Sequence, residues 1–567
     1  MKYKKKDCTI KSYCKKDKNC CFDKDTQPLR TLNIGDVETS IANKLVRRPS
    51  TTPTKVELFN DVEFTVEDEA QTETFDYTPP KADVKCWSKI VLTVKFKIPE
   101  VEGPVTSLPI EKLYQLWVNG VTMQFGSTAR PITIVEERVD NCYFWELDVT
   151  RYADVFKKYG CSRISVFPLI QSGGHDLTVF ESQHSDMTLN IFLSASLQFY
   201  PLPQCEKCPK VWKIYPLSPD AKGAPITLPD QTSGSPLYEK TFDKGELPQN
   251  SINGIIDVWS ANIEADILWY TDNFALRQVE VYLDGEIIGV SICFPRLYAS
   301  TWSYSMWEPI MNTEALNFSH AEIPIKVFLG RLNENKAHKI SISVSSIIPF
   351  IGSPAPAFSV AYNLRLCTDQ KKKVVCGKVL KNNLTDYIPA LQESVQFPTP
   401  VDGVTTIPTK SKYPYFQEGY LETSKGKILT QICGLVSFEN IFKNGILDTN
   451  TQTTFMDFDF SAKQELVMKT YKLIKDDKCS KKDKCDKEDK KCDEDKCKKL
   501  LRTLKTELNF LFTGLITKTP ITDPFNGEIV FCQFDTSYIA KKVLIVDNKV
   551  KKSSCIDDNV KSEGFLE

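Results

Sequence analysis

The clearest alternation of apolar and polar positions runs from Val279 to Leu283, where Val279, Val281 and Leu283 alternate with Glu280 and Tyr282. A period of two sends the two sets to opposite faces of a strand, so the aliphatic set is expected on a buried sheet face. Asp284 and Gly285 then supply the pair of positive-φ positions that a two-residue type I′ turn requires. Ile287 to Ile292 follows as the return strand of a β-hairpin. Tyr114 to Met123 carries the same signal around Asn119-Gly120. In the run from Cys86 to Ile98, one strand face holds Ile90, Leu92, Val94, Phe96 and Ile98, opposite Val91, Thr93, Lys95 and Lys97.

Many short alternating runs divided by Gly, Pro and Asn predict β-sandwiches rather than βαβ units. A chain of 567 residues is too long for one core. Composition divides it into a Lys/Asp/Cys-rich disordered tail over 1–28, a first β-sandwich over 29–203, a Pro/Asp/Ser/Gly-rich connection over 204–248 and a second β-sandwich over 249–370. A C-terminal β extension follows over 371–567, with β-like runs at Thr453 to Phe460, Leu508 to Thr513, Ile529 to Phe534 and Val543 to Val546. The mixed-charge segment at about 475–499 interrupts it and has no apolar stripe, which reads as a solvated insertion. Its four cysteines lack the CxxC spacing of zinc sites, so no metal is assigned.

Net charge is −1, and 41% of residues are hydrophobic. The first excludes a global field that would recruit nucleic acid; the second is ample for packed cores. No run of 18 apolar residues occurs, so no membrane-spanning helix is expected. The opening MKYKKKDC has basic residues but no apolar segment, so no standard secretory signal is expected in this chain. The nineteen cysteines are odd in number, which leaves at least one thiol unpaired within the chain. Cys205 and Cys208 form a lone CxxC, read as a local disulfide or free thiols. No H-E-x-x-H, Walker loop, G-x-G-x-x-G or G-x-S-x-G is present, and no cofactor is expected.

The ordered set of blocks RRPSTTP (47–53), YQLWVNGVTM (114–123), STARP (127–131), WELDVTRY (145–152), LQFYP (197–201), VEVYLDG (279–285), CFPRLY (293–298), Trp307-Glu308-Pro309-Ile310, FLGRL (328–332), KAHKISISV (336–344) and YNLRL (362–366) closely resembles the glycoamidase A family. Its members are peptide-N4-(N-acetyl-β-glucosaminyl)asparagine amidases of plants, fungi and some bacteria. The resemblance implies a mostly β protein: two jelly-roll-like sandwich domains with the active site between them, followed here by a smaller β unit. It also implies hydrolysis of the amide joining an N-glycan to Asn, with N-glycosylated peptides or proteins as partners and a secreted or vacuolar setting. Nothing in the residues specifies oligomeric state.

Such a reaction needs a water activated by a base and a proton for the departing glycosylamine. Carboxylates tuned by a cleft serve both needs, and aromatic faces and basic side chains hold sugars. The family's Asp-Arg pair before the first-domain strand falls on Glu111 and Lys112. Its His and Glu positions before the second-domain hairpin fall on Ile263 and Ile267, with Asp266 one residue away. The expected acid/base groups are therefore Glu111 and Asp266, and the expected substrate contacts are Lys112, Trp117, Trp269 and Tyr270. The family's W-R-P-I becomes Trp307-Glu308-Pro309-Ile310. On the first hairpin Thr122, Phe125 and Arg130 replace Glu, Arg and Glu. Scaffold residues persist while charges change, so an inactive family member that binds glycans or glycoproteins is the alternative.

Overall fold

The structure is a computed structural model. It describes residues 32–34, 37–39, 46–65, 70–80, 86–97, 112–127, 142–167, 190–202, 212–229, 231–232, 237–263, 277–293, 318–346, 357–384, 404–449, 452–473, 498–520, 528–546 and 549–566. The predicted tail at 1–28 and most of the charged insertion lie outside these residues.

Two short strands, β1 (Leu32–Ile34) and β2 (Val37–Thr39), precede the first sandwich. Its strands are β3 (Thr54–Thr65), β4 (Gln71–Tyr77), β5 (Trp87–Lys97), β6 (Leu113–Val118), β7 (Val121–Ser127), β8 (Cys142–Asp148), β9 (Gly160–Phe167) and β10 (Asn190–Pro201). They form two four-stranded sheets, ordered β3-β10-β5-β8 and β4-β9-β6-β7. Consecutive strands cross repeatedly from one sheet to the other, and the outermost pair joins the first strand to the last. This is the winding of a jelly roll. The alternation in β5 points Ile90, Leu92, Val94 and Phe96 into the core, where they meet Tyr114, Trp145, Ile164 and Leu193. Asn119 and Gly120, with φ of 51° and 76°, close the β6–β7 hairpin as predicted.

The second sandwich begins earlier than composition indicates. Residues 213–242 hold β11 (Lys213–Pro216), β12 (Ile226–Pro229), β13 (Gln231–Thr232) and β14 (Tyr238–Phe242). They pair with the later strands β19 (His338–Ser346) and β20 (Ala357–Thr368). Between them come β15 (Ser251–Ile263), β16 (Arg277–Leu283), β17 (Glu286–Ile292) and β18 (Ala321–Pro324). The sheets read β11-β20-β15-β18 and β13-β19-β16-β17, with β12 on β20 and β14 on β19. Strand for strand this repeats the order of the first sandwich, with the first two strands each split in two. A jelly roll needs those strands, and prolines and short lengths hide them in the sequence.

The C-terminal unit is one meandering sheet. It contains β21 (Gly377–Asn382), β22 (Val404–Thr423), β23 (Gly426–Asp448), β24 (Thr453–Leu473), β25 (Lys498–Pro520), β26 (Glu528–Val546) and β27 (Lys549–Leu566), with β2 against β27. The charged insertion joins β24 to β25, and its last residues open β25. Loop-closure entropy grows only slowly with length, so a hairpin end tolerates such an insertion.

This sheet changes the fate of the Val279–Leu283 strand. Asp284 and Gly285, with φ of 52° and 83°, form the predicted turn. Both faces of the strand are buried, because the C-terminal sheet covers the face that holds Glu280 and Tyr282. Tyr413 Oη donates to Gln278 Oε1 at 2.7 Å, and Gln464 Nε2 donates to the Val290 carbonyl at 2.8 Å. Glu280 is 0% exposed, accepting from Ser345 Oγ at 2.7 Å, Gln278 Nε2 at 2.9 Å and the Tyr282 hydroxyl. A buried carboxylate requires that density of donors.

Candidate functional site

The two jelly rolls meet through the outer face of β6–β7 and the outer face of β15–β20. Outward positions on β15 and β20 (Trp259, Ala261 and Ile263; Ser359 and Ala361) are apolar or small, which lets the sheets approach. Gln115 Nε2 donates to Ser359 Oγ at 3.2 Å. The Thr122 amide donates to Asn363 Oδ1 at 3.1 Å, and Asn363 Nδ2 returns a bond to the Thr122 carbonyl at 2.8 Å. Phe125 and Phe318 pack with ring centroids 5.1 Å apart.

Register gives this interface a direction. Asn363 lies opposite Asp257, Ser359 opposite Ala261, and Ala357 opposite Ile263. Passing from Thr122 to Gln115 on the first domain therefore follows β15 from Asp257 towards Ile263. The start of β6 and the end of β15 emerge at the same end of the interface. Lys112 immediately precedes β6 and is half-buried. Glu111, Asp266, Trp269 and Tyr270 lie outside the described residues. Trp117 is 0% exposed, and a Cβ on Gly223 would lie 2.2 Å from its ring. That ring packs beneath a glycine with φ of 102°, so no face of it is open to a ligand. Ile263, at the family's His position, is buried in the first-domain core cluster.

At the other end of the same interface lies a charged cluster that sequence reasoning did not find. Asp257 on β15 is 0% exposed and takes Arg365 Nε and Nη2 at 2.6 Å each, a two-pronged pairing of planar groups. Tyr152, from the turn Thr150–Tyr152, donates to Asp257 Oδ2 at 2.8 Å. Glu322 on β18 accepts from Arg365 at 3.0 Å, from Arg151 at 3.3 Å and from Lys542 on β26. His320 stacks on Trp259 with centroids 4.8 Å apart and places Nε2 3.8 Å from Asp257. Both jelly rolls and the C-terminal sheet contribute to this one cluster.

Its protonation follows from its surroundings. Burial pushes Asp257 up, but the Arg365 and Arg151 charges and the Arg365 hydrogen bonds more than offset this and hold it below the usual carboxylate range. Burial likewise opposes the charge on Glu322, yet Lys542, Arg151 and Arg365 drive its pKa down. Burial, then Arg151, lowers His320 to about 3, so the ring is neutral at pH 7. Asp257, His320 and Glu322 bring their ligand atoms within 4.8 Å of one another, which suits a divalent cation in donor type. Three cationic side chains already occupy the carboxylate oxygens, however, and a cation would add to a surplus of positive charge.

A histidine with a lowered folded pKa binds its proton only in the unfolded chain. Its contribution to stability is complete above about pH 6.5 and is lost as pH falls towards 3. The carboxylates, whose folded pKa values are lowered, begin to add their own loss as pH falls below about 5 and have lost little by pH 4.5. Between pH 7 and 4.5 the histidine should thus cost about 2–3 kcal/mol of stability. Urea unfolding of wild type and His320→Gln at both pH values checks this: the variant should show a markedly flatter pH dependence. Equal slopes would refute the assignment.

These features define a twin jelly-roll protein with a polar interdomain seam. The chain belongs to the family described as peptide N-acetyl-beta-D-glucosaminyl asparaginase amidase A, whose sequence profile matches residues 45–350, more than half of its length. It is 22% identical over 384 residues to the peptide-N4-(N-acetyl-beta-glucosaminyl)asparagine amidase A of Prunus dulcis, a match covering 63% of this chain and 61% of that protein. The chain thus spans less than two thirds of that relative. Among solved structures, PNGase F, a glycosylasparaginase from Flavobacterium meningosepticum, aligns with 56% of this chain and 96% of its own, at 10% identity and a TM-score of 0.36. PNGF-II aligns with 56% of this chain and 66% of its own, at 11% identity and a TM-score of 0.34. Among the described residues no helix is long and apolar enough to cross a membrane.

Proposed function

We propose that this protein is a glycoamidase that hydrolyses the amide between an N-glycan and Asn of glycopeptides or glycoproteins. The observation that carries the reading is the common direction of β6 and β15 within a chain of this family. Glu111 lies two residues before β6 and Asp266 three residues after β15, so both belong to chain that leaves the same end of the interdomain seam. The support is this closeness in sequence to two strand ends on one side of the seam, together with the family to which the chain belongs. One carboxylate takes a proton from water, whose oxygen attacks the side-chain amide carbon. The C–N bond then breaks, and the nitrogen leaves as a glycosylamine carrying a proton from the acid, with Asp remaining on the peptide. Lys112, Trp269 and Tyr270 would hold the sugar; Trp117, being covered, would support the seam.

A second reading, an inactive glycan- or glycoprotein-binding member, is favoured by Ile263, a packed aliphatic side chain where the family has His. Mass spectrometry of a defined N-glycopeptide distinguishes the two. Glycan release with Asn converted to Asp, reduced at least a hundredfold by Glu111→Gln or Asp266→Asn, is the expected result. A folded protein that retains the glycopeptide without converting it establishes the second reading.

A further inference from the structure

A cavity of about 450 Å³ lies between the β17 and β18 edges of the second jelly roll and the face of the C-terminal sheet. That volume is typical of small-molecule sites, which are mostly apolar with a few placed polar groups. Its lining combines aliphatic side chains, among them Val290, Leu466, Leu504 and Leu544, with Arg151, His320, Glu322 and Lys542 of the charged cluster.

The charges there do not cancel: among the described residues Arg151, Arg365 and Lys542 face Asp257 and Glu322, leaving one positive charge in excess, and Lys541 on the same lining adds another. Arg151 spends Nη1 on Glu322 and Nη2 on His320, while its buried Nε has no hydrogen-bond partner among the described residues. The surplus of positive charge on this lining favours an occupant of negative charge. A planar guanidinium edge matches a carboxylate in shape as well as sign. The aliphatic side chains favour an apolar body for the rest of the molecule, although Tyr415, Gln417, Gln464 and Thr506 share the lining with them.

We propose that this cavity binds an amphipathic monocarboxylate, with its head group against Arg151 and Lys542 and an unbranched apolar chain along Leu504 and Leu544. The site is separate from the end of the seam where glycan cleavage is proposed and does not depend on that activity.

Calorimetry on the full-length protein with octanoate, decanoate, decan-1-ol and N-acetylneuraminate tests it. Decanoate should bind roughly tenfold more tightly than octanoate, from the burial of two further methylenes. It should also bind at least tenfold more tightly than decan-1-ol, which lacks the charge. Lys542→Gln should weaken decanoate at least fivefold, and Leu504→Trp, which fills the cavity, should abolish binding. The ligand series on wild type stands whether or not either variant folds. Decan-1-ol binding as tightly as decanoate, N-acetylneuraminate binding more tightly than either acid, or a folded protein that ignores millimolar decanoate would overturn the proposal.

Discussion

Arg365→Met is expected to destabilise the second jelly roll by about 3–5 kcal/mol, the usual cost of stranding one member of a buried ion pair. Arg365 supplies two of the hydrogen bonds to Asp257, whose carboxylate is fully enclosed, and one of those to Glu322. Methionine keeps most of the volume and none of the donors. The remaining Tyr152 hydroxyl, at 2.8 Å, neutralises no charge. Asp257 would then be left with the more distant Arg151 as its cationic support, and its pKa should rise. For a domain of this size the loss corresponds to a melting point lower by roughly 6–20 °C. Asp257→Leu in the same chain should recover part of it, because an apolar pair of similar volume removes the stranded charge. A melting point within 1 °C of wild type would mean that the cluster is solvated and contributes nothing.

Gly330→Ala is the second large effect, and its sign is informative. Gly330 lies in the one-turn helix Leu329–Leu332, at a position without positive φ. On an open helix the change to Ala would stabilise by roughly 0.5–1 kcal/mol. Here the added Cβ would lie 2.4 Å from the carbonyl carbon of Gly377 and 2.7 Å from its Cα. Those are backbone atoms, held in place because a Cβ on Gly377 would itself lie 2.3 Å from the Tyr420 carbonyl oxygen. Helix, β21 and β22 touch backbone to backbone, so the substitution must push the C-terminal sheet away from the second jelly roll. A loss of about 3 kcal/mol or more is expected, at the upper end of the usual range for overpacking. Amide exchange should accelerate in β21 and β22 while the first jelly roll stays protected. A stabilised protein would show that the two backbones do not touch.

The two hairpins were legible because Asn119-Gly120 and Asp284-Gly285 carry their turn geometry in residue type alone, and the core face of β5 followed from its period of two. The strands at 213–242 were not, since β13 has only two residues and Pro216 and Pro229 end their strands. Jelly-roll winding, rather than local composition, requires them. The alternation puts Glu280 and Tyr282 opposite the aliphatic face but does not show what covers them, because the sheet that does so begins almost a hundred residues later. The charged cluster was hidden for the same reason: Arg151, Asp257, Glu322, Arg365 and Lys542 are scattered across the chain. A signal did exist, in the single charge within each of the apolar runs IIDVW and NLRLC. A lone Asp and a lone Arg on buried strands each need a partner, and here each finds the other. The acid/base expectations came from family positions, and no local pattern marks Glu111 or Asp266.

Order of synthesis adds a consequence to the strand pairing. In the C-terminal sheet β22 to β27 each pair with the strand made just before, and such local contacts form quickly. In each jelly roll the earliest strands wait for the latest, as β3 waits for β10 and β11 for β20. The N-terminal roll can close while the rest is still being made, but the charged cluster cannot. It needs Thr150–Tyr152, then β15, β18 and β20, and finally Lys542 near the end of the chain. A chain halted before that residue leaves Glu322 without its third cation and the cavity without a wall. The charged cluster and the cavity are thus completed only once β26 has been made, long after the first jelly roll can close.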